Sequence, residues 1–171
     1  MPMEPKNPLI LTVRLDQKSQ DFFDGMRRKY FPPERNLLNA HLTLFHQLPD
    51  DEETFNIINS LSVIPFEMEV SRLINLGAGV AYKVDAAPLE TLRKELRKAF
   101  EELLIPQDKQ GFRGHITIQN KTTPDQAKSL LEELSMDFEP FKIEGHGIDL
   151  WEYLGGPWKH RSFYPFTHLD K

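Results

Sequence analysis

The sequence contains no cysteine, which excludes disulfides, thiolate nucleophiles and cysteine-ligated zinc together. It has no stretch approaching the ~18 consecutive apolar residues of a membrane-spanning helix. Met1 to Asn7 is polar and proline-rich with no apolar centre, so neither a signal peptide nor a membrane span is expected, and the expected location is the cytoplasm. Positive charge is also in short supply. Twenty-one Lys and Arg stand against 26 Asp and Glu, a formal charge of -5, which argues against the one-sided basic face of a protein that coats duplex DNA. A small anionic substrate held by a few local donors is compatible with that balance. No Gly-x-Ser-x-Gly occurs, so an esterase built on a hydroxyl nucleophile is a poor reading.

What is present is enough for a core. A chain of 171 residues that is 39% apolar fits one domain, or one domain of two similar halves, and a monomer is expected. Leu9 to Leu15 alternates as a half-buried strand, and a helix follows from Gln17 to Tyr30 with Phe22, Phe23, Met26 and Tyr30 at helical spacing until Pro32-Pro33 stops it. The stretch Ala40-His41-Leu42-Thr43-Leu44-Phe45-His46-Gln47-Leu48 reads as the next strand. Asp50 with Glu53 predicts a capped helix carrying Ile57, Ile58 and Leu61. Phe66, Met68 and Val70 alternate into a strand that turns at Gly77-Ala78-Gly79 into Val80 to Asp85.

Pro88 then opens a helix with Leu89, Leu92, Leu96, Phe100 and Leu103 as its buried stripe. Gly114-His115-Ile116-Thr117-Ile118 repeats the start of the earlier strand. Thr123-Pro124 with Gln126 is a capping box for a helix bearing Ala127, Leu130, Leu131 and Leu134. A strand from Pro140 to about Tyr153, a turn over Leu154 to Trp158 and a return strand from His160 to Phe166 complete the chain.

The order strand, helix, His-x-Thr strand, helix, strand occurs twice. His41 precedes Pro65-Phe66-Glu67-Met68-Glu69 by 24 positions (65 − 41), and His115 precedes Pro140-Phe141-Lys142-Ile143-Glu144 by 25 (140 − 115). The expected fold class is therefore α+β: a bilobal, pseudo-twofold duplicated unit in which two antiparallel sheets face a central cleft with helices on the outside. The whole chain, 1–171, forms one domain on this reading, with lobes at approximately 8–79 and 80–167. On a strand, residues i and i+2 share a face, so His41 and Thr43 point together, as do His115 and Thr117, while Leu42, Leu44, Ile116 and Ile118 face the helices.

These motifs resemble those of the 2H phosphoesterase superfamily, in its branch of 2′-5′ RNA ligase-like and cyclic nucleotide phosphodiesterase proteins. That family carries two His-x-Thr/Ser-hydrophobic motifs in a bilobal duplicated fold, matched by His41-Leu42-Thr43-Leu44 and His115-Ile116-Thr117-Ile118. Phe112-Arg113-Gly114-His115 also resembles the family's approach to its second motif. The resemblance covers nearly the whole chain and implies a phosphoesterase acting on 2′,3′-cyclic phosphate or 2′-5′ phosphodiester bonds, with a nucleotide or RNA end as its substrate partner.

The residue types suit that chemistry. Opening a cyclic phosphodiester needs a water deprotonated on one side of phosphorus and the leaving alkoxide protonated on the other, and imidazoles titrate near enough to neutrality for both. Thr43 and Thr117 hydroxyls can supply donors to the non-bridging oxygens. Neither motif offers the three protein ligands of a catalytic zinc, and His146, His160 and His168 show no ligand spacing, so no metal or other cofactor is expected. His46, an odd number of residues from His41, is expected to face away from the cleft. Phe45 continues the His41 face and is a candidate for stacking a base, with core packing as the alternative. Tyr82, Arg113, Trp158 and Lys159 are further substrate-binding candidates at the cleft rim, against hairpin packing. Thr12 and Arg14 share a face and receive no role. A reading from a different class is a binding module that keeps fold and cleft to hold a nucleotide or RNA end without turnover.

Overall fold

The computed structural model describes residues 6–167; residues 1–5 of the polar N-terminal segment, and His168, lie outside the described residues. Among the described residues seven strands, β1 (Leu9–Leu15), β2 (Leu42–Leu48), β3 (Phe66–Asn75), β4 (Val80–Asp85), β5 (His115–Gln119), β6 (Phe141–Tyr153) and β7 (Trp158–Pro165), combine with five helices, α1 (Gln17–Tyr30), α2 (Glu52–Asn59), α3 (Ala87–Ala99), α4 (Pro106–Lys109) and α5 (Pro124–Ser135). Local chemistry sets the helix starts. The Asp16 carboxylate accepts from the Ser19 N–H at α1, and Thr123 with Gln126 forms both bonds of the capping box at α5. Helix α2 is capped by Asp51, which accepts from the Thr54 N–H; the expected cap, Asp50, instead accepts from Arg161 at 2.8 Å. Helix α3 ends at Ala99, before the expected Leu103, which belongs to a 3₁₀ turn over Glu101–Leu103.

The strands pair antiparallel in the order β1-β2-β5-β4-β3-β6-β7, and β6 also pairs with β1. Six strands thus close into a ring with β7 added on β6, which corrects the expectation of two separate sheets. The reason is the length of β6. Its start pairs with β3 from Phe141 to Gly145, and its remainder runs between β1 and β7. The other seam is the single pairing Leu42↔Ile116 between the two motif strands.

The helices are exchanged between the two sequence repeats. Helix α1, just upstream of β2, lies against β4 and β5: Phe23 is edge-on to Tyr82 at 5.5 Å, and Arg27 donates to the Thr117 carbonyl. Helix α3, upstream of β5, lies against β2: Arg93 donates to the Leu44 carbonyl, and Phe100 is edge-on to Phe45 at 5.5 Å. One continuous core results, with Leu9, Leu11, Leu42, Ile116, Leu89 and Phe100 all fully buried. Among the described residues no helix is long and apolar enough to cross a membrane.

Candidate active site

Each motif strand departs from regular alternation one residue after its threonine. Along β1 and β2, Thr12 lies opposite Thr43 but Leu11 opposite Phe45, so Leu44 is an extra residue. Along β4 and β5, Ala81 lies opposite Thr117 but Val80 opposite Gln119, so Ile118 is extra. These are β-bulges at equivalent places in the two repeats. A bulge leaves backbone polar groups outside the ladder, and burial obliges them to find other partners. Two buried arginines answer that need. Arg93 Nε donates to the Leu44 carbonyl at 2.9 Å, and Arg27 Nη1 donates to the Thr117 carbonyl at 3.0 Å.

The bulges decide which side chains reach the cleft. His41, Thr43, His115, Thr117, Arg113 and Trp158 line one cavity of about 350 Å³. Phe45 does not. The bulge at Leu44 turns it onto the face of its partner Leu11, where it is fully buried beneath Arg93 and beside Phe100, so it is a core residue and not a base platform. His46, expected to face away, is turned into the cavity by the same bulge. Tyr82 pairs with Ile116 and so shares the core face; it is 4% exposed among Phe22, Phe23, Phe138 and Phe141, and burial pushes its hydroxyl up to about 12. The residue of β4 opposite His115 is Lys83. Lys159 pairs with Glu152 while its neighbour Trp158 pairs with Tyr153, so Lys159 lies on the opposite face of β7 from Trp158 and does not line the cavity.

The two catalytic candidates are held alike. His41 Nδ1 is 2.8 Å from the Asn39 carbonyl and His115 Nδ1 is 2.7 Å from the Arg113 carbonyl. A carbonyl can only accept, so each Nδ1 carries the hydrogen and each Nε2 is left for the cleft. The Trp158 ring lies against His41 at a centroid distance of 4.5 Å. Burial pushes the His41 imidazole down to about 4; its bond to the Asn39 carbonyl opposes that, and the charges of Arg27, His115 and His46 add to it. Arg27 is itself lowered by burial, to about 10, and therefore stays cationic at neutral pH.

The cavity is cationic although the chain is acidic. Two guanidinium groups, Arg93 and Arg113, line it against one carboxylate, Asp108, and that carboxylate is occupied by hydrogen bonds from His46 and from the Gln47 N–H. A larger hollow of about 470 Å³ between β3 and β6 is bounded by Glu67 and Glu144, which repel an anion. Among the described residues no three His, Asp or Glu side chains converge as a metal-ion cage. Thr12 and Arg14 find partners within the sheet: Thr12 accepts from Trp151 Nε1, and Arg14 forks onto Asp149, which also meets His160.

Sequence reasoning missed Arg27, Arg93, Asp108 and the orientation of His46. The two arginines had a readable signal, since Arg27 falls four residues after Phe23 and Arg93 four after Leu89, each inside an apolar stripe. Asp108 had none.

Residues 15–157 match the family model described as the 2′-5′ RNA ligase superfamily. In overall structure the chain is similar to TT0787 of Thermus thermophilus, with 17% identity and a TM-score of 0.65 over 93% of this chain and 97% of that one. It is similar also to E. coli LigT solved with 3′-AMP, at 16% identity and a TM-score of 0.63 over 96% of this chain and 100% of that one. LigT has further been solved with NADP+, with ATP and with phosphate. At such identities these likenesses speak for the fold. No curated protein matches the chain. With the family model spanning both His-x-Thr strands and the bulged, doubled site between them, the chain belongs to the 2′-5′ RNA ligase superfamily, the 2H phosphoesterases, a family of phosphoester chemistry.

Proposed function

We propose that the protein is a metal-independent phosphoesterase that opens 2′,3′-cyclic phosphate or 2′-5′ phosphodiester bonds on RNA ends or small nucleotides. The observation that carries this reading is the matched pair of imidazoles. Each is locked with Nδ1 on a backbone carbonyl and Nε2 toward one cavity that both motif threonines share. His41, held neutral by burial, is the base: its Nε2 takes a proton from water as the water oxygen bonds to phosphorus. His115 is the acid. Its Nε2–H protonates the ribose oxygen as the P–O bond breaks, and the proton balance is restored through solvent. Thr43, Thr117 and Arg113 donate to the non-bridging oxygens as their charge grows. The nucleotides in the LigT structures agree in kind with such a substrate. The two repeats, approximately 8–79 and 80–167, are read as one domain, because each lends its helix to the other's motif strand.

The test is hydrolysis of 2′,3′-cyclic nucleotides with chelator present, comparing wild type with His41→Ala and His115→Ala and resolving the 2′- from the 3′-phosphate product. Loss of turnover in both variants, of about 10²- to 10⁴-fold each, is expected. Loss with chelator refutes the metal-free mechanism. Saturable nucleotide binding with no wild-type turnover would make the protein a binding module.

A further inference from the structure

The cleft contains a third imidazole that the two-histidine mechanism does not use. His46 reaches it because of the Leu44 bulge, and its ring is fixed by Asp108 on α4. Asp108 is 1% exposed and accepts four hydrogen bonds. Three come from backbone, the His46 N–H at 2.9 and 3.0 Å and the Gln47 N–H at 3.0 Å. The fourth comes from His46 Nδ1 at 2.9 Å. The backbone bonds already satisfy the groups that the bulged strand leaves unpaired, so the imidazole is not needed for that purpose. What it gains is orientation: with Nδ1–H on a buried carboxylate, Nε2 is the atom left to a ligand, and the side chain is 48% exposed.

His46 is too far along β2 to share the reacting phosphorus with His41. Five residues (46 − 41) at about 3.3 Å each place it roughly 16 Å away along an unbulged strand, and a bulge shortens that only in part. A group bound there belongs to the same nucleotide chain but lies beside the scissile phosphate. The surroundings name its charge. Lining the same cavity as His46 are Asp108 from α4, Arg93 from α3, Arg113 before β5, and His41 and His115, and the one carboxylate among them is already spent on donors. Resting on the phosphoesterase reading above, we infer that His46 and Asp108 form a second anion subsite, in which the imidazolium donates from Nε2 to a phosphate adjacent to the one being opened. The site's preferred substrate then carries that second phosphate, either as a 5′-phosphate on a mononucleotide or as the next phosphodiester of an RNA strand. With Nδ1–H held on the carboxylate, it is the imidazolium that presents an N–H at Nε2, and Asp108 stabilises that cation.

The experiment titrates the full chain with adenosine 3′-monophosphate, adenosine 3′,5′-bisphosphate and a 5′-hydroxyl adenylyl dinucleotide 3′-monophosphate, following the His46 ring nitrogens by NMR. In parallel, kcat/KM is compared for the matching 2′,3′-cyclic substrates. The wild type is expected to favour at least one two-phosphate ligand by about tenfold, the scale of one charge-assisted hydrogen bond. Which of the two gains distinguishes a 5′-phosphate from a strand phosphate. The His46 ring-nitrogen resonances move as that ligand binds, and His46→Gln brings the preference to near one through KM and not kcat. Equal affinity for all three ligands, a preference unchanged in His46→Gln, no His46 shift in the wild type, or no binding at all overturns the inference. Turnover without the preference removes only this subsite. A His46-dependent preference without turnover removes only the phosphoesterase reading.

Discussion

Removing the Trp158 indole directly tests the electrostatic setting of His41, the proposed base. The ring lies 4.5 Å from the His41 imidazole, and burial is the first cause of that imidazole's descent from 6.5 to about 4. In Trp158→Ala, water reaches the ring and the neutral form loses its advantage. The charges of Arg27, His115 and His46 persist, so recovery stops short of the usual value, and a rise of at least about one pH unit is expected. A base works only when unprotonated, so the acid limb of kcat/KM rises with it. At pH 5 a group with a pKa near 4 is about 90% neutral, one near 5 is about half neutral, and one fully restored to 6.5 is only about 3% neutral. The variant should therefore lose at least about twofold, and less than about thirtyfold, activity at pH 5 relative to its own value at pH 8, while wild type loses almost nothing. The assay is the pH–rate profile on a cyclic nucleotide, with His41 titrated by NMR. An acid limb and a His41 titration unmoved in a folded Trp158→Ala protein would refute burial as the cause.

Three further outcomes are expected. Arg93→Met leaves the Leu44 and Asp108 carbonyls without their donor and should cost about 3 kcal/mol, roughly 6–12 °C in Tm by calorimetry; an unchanged Tm would mean the bulge holds without it. Gly79→Ala puts a Cβ 1.9 Å from the Gln119 carbonyl oxygen, so it should lower Tm markedly whereas Gly111→Ala, with nothing within 4 Å, should not. For pH and stability, His41 is lowered on folding, so the unfolded chain binds more protons between about 6.5 and about 4 and stability falls as pH drops through that window. Asp108 acts lower still. Burial pushes it up, but hydrogen bonds from His46 and Gln47 outweigh that and leave it below 3.8, so its contribution is lost only as pH falls beneath that value. Denaturant titrations of wild type and His41→Gln should diverge between pH 6.5 and 4; parallel curves would contradict the depressed imidazole.

Local chemistry made much of the molecule legible in the sequence. The strands from Leu9 and from Val80, the capping box at Thr123 and the proline that opens α3 depend on neighbours a few residues away, and all lie where alternation and capping put them. The same holds for the motif faces. Within the three residues from His41 to Thr43, and from His115 to Thr117, alternation is intact, so histidine and threonine reach one cavity together.

Beyond the threonines, only tertiary structure could decide. A bulge is a relation between two strands, and nothing in Leu44-Phe45-His46 alone says that Leu44 will be the extra residue. That single displacement turns Phe45 into the core and His46 into the cleft. Whether Tyr82 faces the core depends likewise on its pairing with Ile116, and whether six strands close into a ring depends on β6 being long enough to serve three neighbours. Sequence by itself determined the periodicity, the caps and the doubled motif, because those energies are local. Register, bulges, the exchange of helices and the placing of Arg27, Arg93 and Asp108 came from partners distant in the chain, because an unpaired backbone group or a buried charge is satisfied by whatever the fold brings beside it.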